Sequence, residues 1–343
     1  MTLLIVKKQL NDYSVGCFPI KGFDERPFFA LAEATYGDVN RIKQRWQWEC
    51  VDQPFIGEIK IYVAETGSSL IGASIRLPFT LSLESRRITS AFSVNSMVHP
   101  NYRRMGIMEK LYQESFKQYP VLFSKGTMPG MYRLLLKMGY RPLLPNTTLV
   151  AVLSLVKWIA WRAGIFRSNP SLALEMDIAD QNYRKVTSFG GEFDEFWERS
   201  HKAFRGTVVK NLAHMNWRYF DIPHRRYAVF YRYEHDKIVA CIVLGSSGST
   251  GKIVDLLWDH EQTDEPLRSI RFAKSYLKKC GFMKASCWCT YGPLRKALKR
   301  MLFVDRGETP HFSYISNDDS IQLGNDAHEL HFVEGDGDAE YLG

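Results

Sequence analysis

The sequence predicts a mixed α/β (α+β) protein of two consecutive domains, each a mixed, mostly antiparallel sheet flanked by helices. Three observations predict it. At 343 residues the chain is longer than one compact core of this kind holds. The pattern Trp48-x-x-x-Asp52-x-Pro54 recurs as Trp217-x-x-x-Asp221-x-Pro223, each time closing a helical stretch ahead of a strand pair. The same order of elements then follows both motifs, over roughly a hundred residues, which marks an internal repeat.

After the first motif, Ile59 to Glu65 and Leu70 to Leu77 alternate around a Gly-Ser turn. After the second, Tyr227 to Tyr233 and Lys237 to Leu244 do so around a charged turn, so each pair reads as a hairpin. Val94 to Val98 matches Val254 to Trp258 as a central strand. Helical periodicity follows in Glu109 to Lys117 and in Leu267 to Lys279. Short apolar strands come next, Val121 to Ser124 and Ala285 to Cys289, then helical segments Tyr132 to Tyr140 and Arg295 to Phe303. Gly139 stands where a left-handed residue ends the first of these helices. Thr148 to Leu155 reads as the closing strand of the first domain. The expected divisions are 1–155, a linker helix at 156–175, a second domain at 176–316 and an acidic tail at 317–343.

With 45% hydrophobic and 24% charged residues the composition is that of a soluble globular chain. Six cysteines are scattered without disulfide or metal-ligand spacing, so they read as reduced and buried, and no metal is expected. The net charge is +8, but Asn317 to Gly343 holds eight acids and no Lys or Arg, which leaves +16 on the preceding residues. That surplus favours an anionic small ligand or a membrane surface, while no nucleic-acid recognition motif is present. Met1 to Gln9 lacks a signal-peptide cleavage pattern, and Leu149 to Phe166 is interrupted by Lys157 and Arg162, so a cytoplasmic location is expected. Val156 to Arg167 reads as a basic amphipathic helix with two tryptophans. Such a helix lies on an anionic membrane or packs between domains, and packing is the expectation here.

The stretch Arg103-Arg104-Met105-Gly106-Ile107-Met108 leads from a strand directly into a helix. The first amides of a helix lack intrahelical partners and carry the positive end of its dipole, so such a turn cradles phosphate. Gly106 permits close backbone approach, and Arg103 and Arg104 add fixed charge. In the second copy the corresponding segment, Asp259 to Pro266, has no glycine and four acids, which repel an anion.

Val98-His99-Pro100-Asn101-Tyr102-Arg103-Arg104-Met105-Gly106-Ile107 resembles the V-x-P-x-Y-R-x-x-G-I-G/A signature of the GNAT family of acyl-CoA N-acyltransferases. Met108 departs from it, since the family has Gly or Ala there, and Leu135 stands where the family's closing Y-x-x-x-G-F has its tyrosine. The resemblance implies two GNAT-like domains, with acetyl-CoA as co-substrate held by the first. It implies cofactor contacts from Met97, Val98, Arg103, Arg104, Met105, Gly106, Ile107 and Met108. The strand Ser96-Met97-Val98 would pair with the pantetheine arm and aim an N–H at the thioester oxygen. The ending Leu330 to Asp338 resembles the G-D-x-D close of tandem GNAT-like proteins associated with cell-surface polysaccharide pathways.

The strand Ala91 to Val98 carries no acid to serve as general base. Asn95 and Ser96 can orient an amine but not deprotonate it. The base then comes from elsewhere, with His99, Glu49 and Asp52 nearest in sequence, or the amine is itself acidic, as in an amino sugar. Tyr132, one helical turn before Leu135, is the candidate general acid, with plain packing as its other reading. Asp255, aligned with Asn95, calls for a partner such as Arg218. The expected function is acetyl-CoA-dependent N-acetylation of a small amine, an amino sugar or its nucleotide, in surface polysaccharide synthesis. The alternatives are a non-catalytic acyl-CoA-binding or scaffold protein, and a Fem-type aminoacyl transferase. The basic turn argues against the last. Oligomeric state does not follow.

Overall fold

The structure, a computed structural model, describes residues 13–54, 59–84, 86–144, 147–165, 174, 182–223, 225–308, 311–324 and 327–337. The readings of Met1 to Gln9, of Phe166 and Arg167 and of Asp338 fall outside these residues. The elements of the first half are β1 (Ser14–Pro19), α1 (Glu25–Tyr36), α2 (Asn40–Trp46), β2 (Lys60–Thr66), β3 (Ser69–Leu83), β4 (Arg86–Val98), α3 (Ile107–Phe116), β5 (Val121–Thr127), α4 (Pro129–Lys137), β6 (Arg141–Pro142) and β7 (Thr147–Val152). Next come α5 (Leu155–Arg162), β8 (Tyr183–Val186), α6 (Glu192–Ser200), β9 (Gly206–Val208), α7 (Leu212–Tyr219), β10 (Ala228–Glu234), β11 (Lys237–Ser247) and β12 (Thr250–Trp258). The chain ends with α8 (Glu265–Lys279), β13 (Lys284–Cys287), α9 (Gly292–Arg300), β14 (Val304–Glu308), β15 (His311–Ser316) and β16 (Leu330–His331).

These strands build two mixed, mostly antiparallel sheets flanked by helices. The first runs β1-β2-β3-β4-β5-β15-β6, with β9 added beside β3 and β16 beside β9. The second runs β14-β7-β13-β12-β11-β10-β8. In each, the long central hairpin is antiparallel, and a parallel pair, β4 with β5 or β12 with β13, follows a crossover helix; β16 adds a second parallel pair, with β9, to the first sheet. Both faces of the first sheet are covered. Ile107 and Leu111 of α3 and Leu135 of α4 pack on one, and Phe28 and Leu31 of α1 with Trp46 of α2 pack on the other. Gly72 of β3 lets α3 approach closely, because a Cβ there would stand 2.7 Å from the Ile107 side chain.

Three expectations change. Thr147–Val152 does not close the first sheet: it lies in the second, between β13 and β14. Reciprocally, β15 from the C-terminal half fills the first sheet between β5 and β6. The residues after 316 are not a solvated acidic tail. Ile321, Leu323, Leu330 and Phe332 are buried in the core of the first sheet, where their apolar area outweighs the scattered acids. Finally, α5 does not fill an interface between domains, since Leu155, Val156 and Ile159 are exposed.

Candidate active site

Strand β4 leaves the sheet at Val98 and enters a tight turn, Pro100–Tyr102, capped by His99. The His99 Nδ1 accepts the Asn101 amide at 3.3 Å, so this imidazole serves the turn. Arg104 (φ 66°) and Gly106 (φ 72°) are both left-handed, and Gly106 is the N-cap of α3 without any side-chain cap. The first intrahelical bond is Lys110 N–H to the Gly106 carbonyl, 3.2 Å. The amides of Ile107, Met108 and Glu109 therefore have no carbonyl of their own helix to reach. Ile107 and Met108 turn their side chains into the core, so the Met that departs from the signature does not cover the turn. A Cβ on Gly106 would meet nothing within 4 Å, and Arg103 and Arg104 are exposed beside it. The result is an open, positively charged cup lined by backbone.

The cup continues into a gap in the sheet. The pairing of β4 with β5 stops at Phe92 and Phe123, and no described strand pairs with the β5 side of β4 beyond it. Here β4 also bulges: Ala73 faces Met97 and Ile75 faces Val94, so Asn95 and Ser96 together oppose Ser74. Asn95 takes a left-handed φ of 48°. The bulge sends these two side chains to different neighbours. The Asn95 Nδ2 lies 3.4 Å from Glu49 Oε2. Ser96 Oγ is 2.6 Å from Ser74 Oγ and 3.0 Å from the Tyr112 hydroxyl. Met97 is buried at the same strand end, and Tyr36 of α1 donates to the Ser96 carbonyl at 3.2 Å.

Glu49 reaches this point because α2 continues into a wider helical turn, Gln47–Val51, which buries Trp48, Glu49 and Cys50. Its carboxylate is 4.0 Å from Arg45 Nη2 and faces a cavity of about 30 Å³, space for a water or two. Trp48, Phe79, His214, Arg218 and Asp336 line the same cavity, so both halves of the chain form it. The His214 pKa is pushed down to about 3, by burial first and then by the Lys210 and Arg218 charges, so its ring is neutral. Asp52, by contrast, is exposed and accepts from Gln47 at 2.7 Å.

Behind Ser96 lies a residue that pattern reading missed. Arg76 is fully buried on β3, and its Nη1 donates to Ser74 Oγ (2.5 Å) and Nη2 to Ser115 Oγ (2.8 Å). Its guanidinium sits 4.3 Å from the Tyr112 ring centre, and its Nε has no described partner. The signal was present: a lone cation in the apolar run Ile75 to Leu77, and a tyrosine on the stripe Met108, Leu111, Tyr112 and Ser115. Arg76, Ser74, Ser96 and Tyr112 thus form a hydrogen-bonded chain that ends at the bulge, with a buried positive charge behind it.

Tyr132 stands elsewhere. Its ring stacks on His311 of β15 at 3.9 Å, on the side of β5 away from β4, and Leu135 of the same helix is the residue buried toward α3. The stack gives Tyr132 the packing role that was its other reading, and no described contact joins it to Ser96 or Tyr112. Asp255 is bound by Lys210 at 2.6 Å and by the Tyr219 hydroxyl at 2.9 Å, not by Arg218. Arg218 donates instead to the Gly335 carbonyl (2.6 Å) and the Gly337 carbonyl (3.1 Å). Lys125 of β5 binds the carbonyls of Val333 (2.7 Å) and Asp336 (2.6 Å). The Gly335-Asp336-Gly337 segment is thus gripped by cations from both halves. Gly335 has to be glycine, because a Cβ would stand 2.1 Å from the Tyr219 hydroxyl.

The second sheet has the same gap but fills it. Beyond Ile253 and Cys287 the β12 and β13 strands part, and the segment from Leu330 enters. Thr290 N–H donates to the Phe332 carbonyl at 3.0 Å, Gly335 N–H to the Val254 carbonyl at 3.2 Å, and Cys289 bridges Val333. At the start of α8 stands the buried Glu265, whose carboxylate is paired to Arg232 at 2.8 Å and accepts from Ser269 Oγ at 3.0 Å. Among the described residues one half is open and the other is closed by its own chain.

Residues 19–142 match the family model of the acetyltransferase (GNAT) domain. No curated protein matches by sequence. The fold is similar to that of a conserved protein of unknown function from Enterococcus faecalis V583, described as a probable N-acyltransferase (TM-score 0.63, 11% identity, 89% of this chain and 72% of that one). It is similar to a GCN5-related N-acetyltransferase from Anabaena variabilis (TM-score 0.62, 12% identity, 88% and 72%). It is also similar to the N-myristoyltransferase of Saccharomyces cerevisiae with bound myristoyl-CoA (TM-score 0.55, 11% identity, 88% and 82%). At such identities the likeness is one of fold.

Proposed function

We propose that the chain is an acyl-CoA-dependent N-acyltransferase that uses the open gap of its first sheet, with acetyl-CoA as donor and a small amine as acceptor. The observation that carries this reading is the continuity of two features: uncapped amides at the start of α3, and the unpaired edge of β4 that ends in the Asn95–Ser96 bulge beside Glu49. The amides of Arg104 to Met108, with the Arg103 and Arg104 side chains, suit a pyrophosphate. The edge Ser96-Met97-Val98 suits an extended pantetheine arm. The thioester supplies the activated acyl group, and the chain's residues handle protons and orientation.

Glu49 is the base in this reading. Through a water in the shared cavity, which has room for one or two, this carboxylate can take the proton of an amine held by Asn95 outside it. Ser96, fed by the Tyr112 hydroxyl and backed by the Arg76 charge, donates a proton to the departing thiolate. The neutral His214 and the Arg218 side chain form the far wall of that water cavity. The basic surplus suits a phosphorylated acceptor, and an amino sugar or its nucleotide in polysaccharide synthesis is our choice, in the cytoplasm. The second half binds no cofactor.

Calorimetry with coenzyme A, together with free-thiol release from acetyl-CoA over a panel of amines, tests this. We expect one site per chain and amine-dependent release, with binding lost in Gly106→Val. Binding without release for any amine would leave an acyl-CoA-binding protein instead, and unchanged binding in Gly106→Val would remove the cofactor assignment.

A further inference from the structure

The face formed by α5 and the β7–β14 edge of the second sheet is apolar and exposed, and Lys157, Arg162 and Arg306 stand along it among the described residues. On α5, Leu155 is 61% exposed, Val156 79% and Ile159 53%, and Ile165 just beyond is 83% exposed. The strip does not stop at the helix. Val152 and Val304 are both exposed, and strand register joins them through Val150, which pairs with Val304 and lies two residues from Val152 on the same face.

The charges on this edge are sorted by face. Arg306 pairs with Thr148, and Lys284 with Val152, so both cations belong to the exposed valine face. Lys157 and Arg162 add to it from α5. Of the two acids on β14, Asp305 pairs with Leu149 and so belongs to the opposite face, where Arg295 (2.5 Å) and Lys299 (2.8 Å) bind it, and Glu308 pairs with Thr147, two residues from Leu149 on that strand. Arg162 also lies 5.3 Å from the Trp158 ring centre, which gives the helix an aromatic and a cation side by side.

From this sorting we infer that the face docks on an anionic bilayer surface. Apolar side chains insert at the acyl boundary while Lys and Arg stay at the headgroups, and Trp prefers that depth. A second copy of the chain fits poorly, because it would set the same cationic rim against itself. The inference stands independently of the proposed reaction.

Sedimentation of the full chain with vesicles tests it, using phosphatidylcholine alone and phosphatidylcholine mixed with phosphatidylglycerol. The chain is expected to bind the mixed vesicles, to lose binding as salt shortens the screening length, and to bind the neutral ones weakly. Val156→Glu combined with Ile159→Glu, both at exposed positions, should weaken binding by roughly tenfold or more while coenzyme A affinity and circular dichroism stay unchanged. Arg162→Glu should weaken it and flatten the salt dependence. Equal binding to both vesicle types, or full binding by the double variant, would overturn the inference. So would a dimer on size exclusion that the double variant dissolves, since the face would then belong to a second copy.

Discussion

Trp48 and Trp217 hold each other by reciprocal bonds: each indole N–H donates to the other residue's carbonyl, at 2.8 and 2.9 Å, with the rings stacked 4.6 Å apart at 13°. The two residues occupy the same place in the two sequence motifs, so matching positions meet face to face. Both lie against the cavity that Glu49 borders. The distance between the two halves at the proposed site is therefore set by this pair.

Removing one ring should loosen that junction. Trp217→Ala is expected to destabilise the chain by about 3–5 kcal/mol, the usual cost of deleting a buried indole. Trp217→Phe keeps a ring and loses one buried hydrogen bond, at about 0.5–1.5 kcal/mol. Urea unfolding of the two variants measures this. Equal stability of the Ala variant and the parent would mean the halves are held elsewhere.

Glu49→Gln tests the base. Amine-dependent thiol release should fall by about 10²- to 10⁴-fold, the range for a lost general base, with coenzyme A affinity unchanged. Asp52→Asn, at the exposed repeat position, should leave the rate alone. The steady-state rate and a binding isotherm together separate a lost proton acceptor from a lost site.

The two tyrosines predict opposite outcomes. Tyr112→Phe breaks the contact to Ser96 and should slow release by about tenfold or more, with the alkaline limb of the pH profile altered. Tyr132→Phe keeps the stack on His311 and should change little. If Tyr132→Phe is the slower enzyme, the hydroxyl chain behind the bulge has no part in proton delivery.

The strand-to-helix turn was legible because its chemistry is local: Gly106 needs a positive φ, the arginines flank it, and a strand precedes it. The strand exchange was not. Thr147 to Val152 and His311 to Ser316 both alternate, and alternation tells which face is buried but not which neighbour supplies the ladder. The C-terminal segment misled in a similar way. Its acids suggested a solvated tail, while Leu330 and Phe332 pack in the first core, the backbone at Phe332, Val333 and Gly335 bridges the second gap, and Asp336 is held by Lys210 at 3.4 Å. Glu49 stood among three candidates in sequence, and only the wider helical turn after α2 brings it to Asn95.

Acid should destabilise the chain earlier than its carboxylates require. The pKa of His214 is pushed down to about 3 and that of His331 well below its ordinary value of 6.5, both by burial first. The unfolded chain binds protons at these residues from about pH 6.5 downward, and the folded chain does not, so stability is full above that pH and falls as pH drops. Each histidine contributes a slope of up to about 1.4 kcal/mol per pH unit. Paired carboxylates such as Asp305, whose hydrogen bonds to Lys299 and Thr147 hold its pKa low, lose their contribution only below about pH 4. Between pH 6.5 and 5 the histidines lower stability as pH drops, while the buried Asp255 and Glu265 carboxyls, raised by burial first, act in the opposite sense, so the comparison with a histidine variant isolates the imidazole contribution. Urea midpoints across this window should decline less on acidification in His331→Phe, which keeps a flat ring against Phe204, than in the parent chain. Equal slopes in the parent and His331→Phe over the window would show that the His331 ring is reached by protons in the folded state.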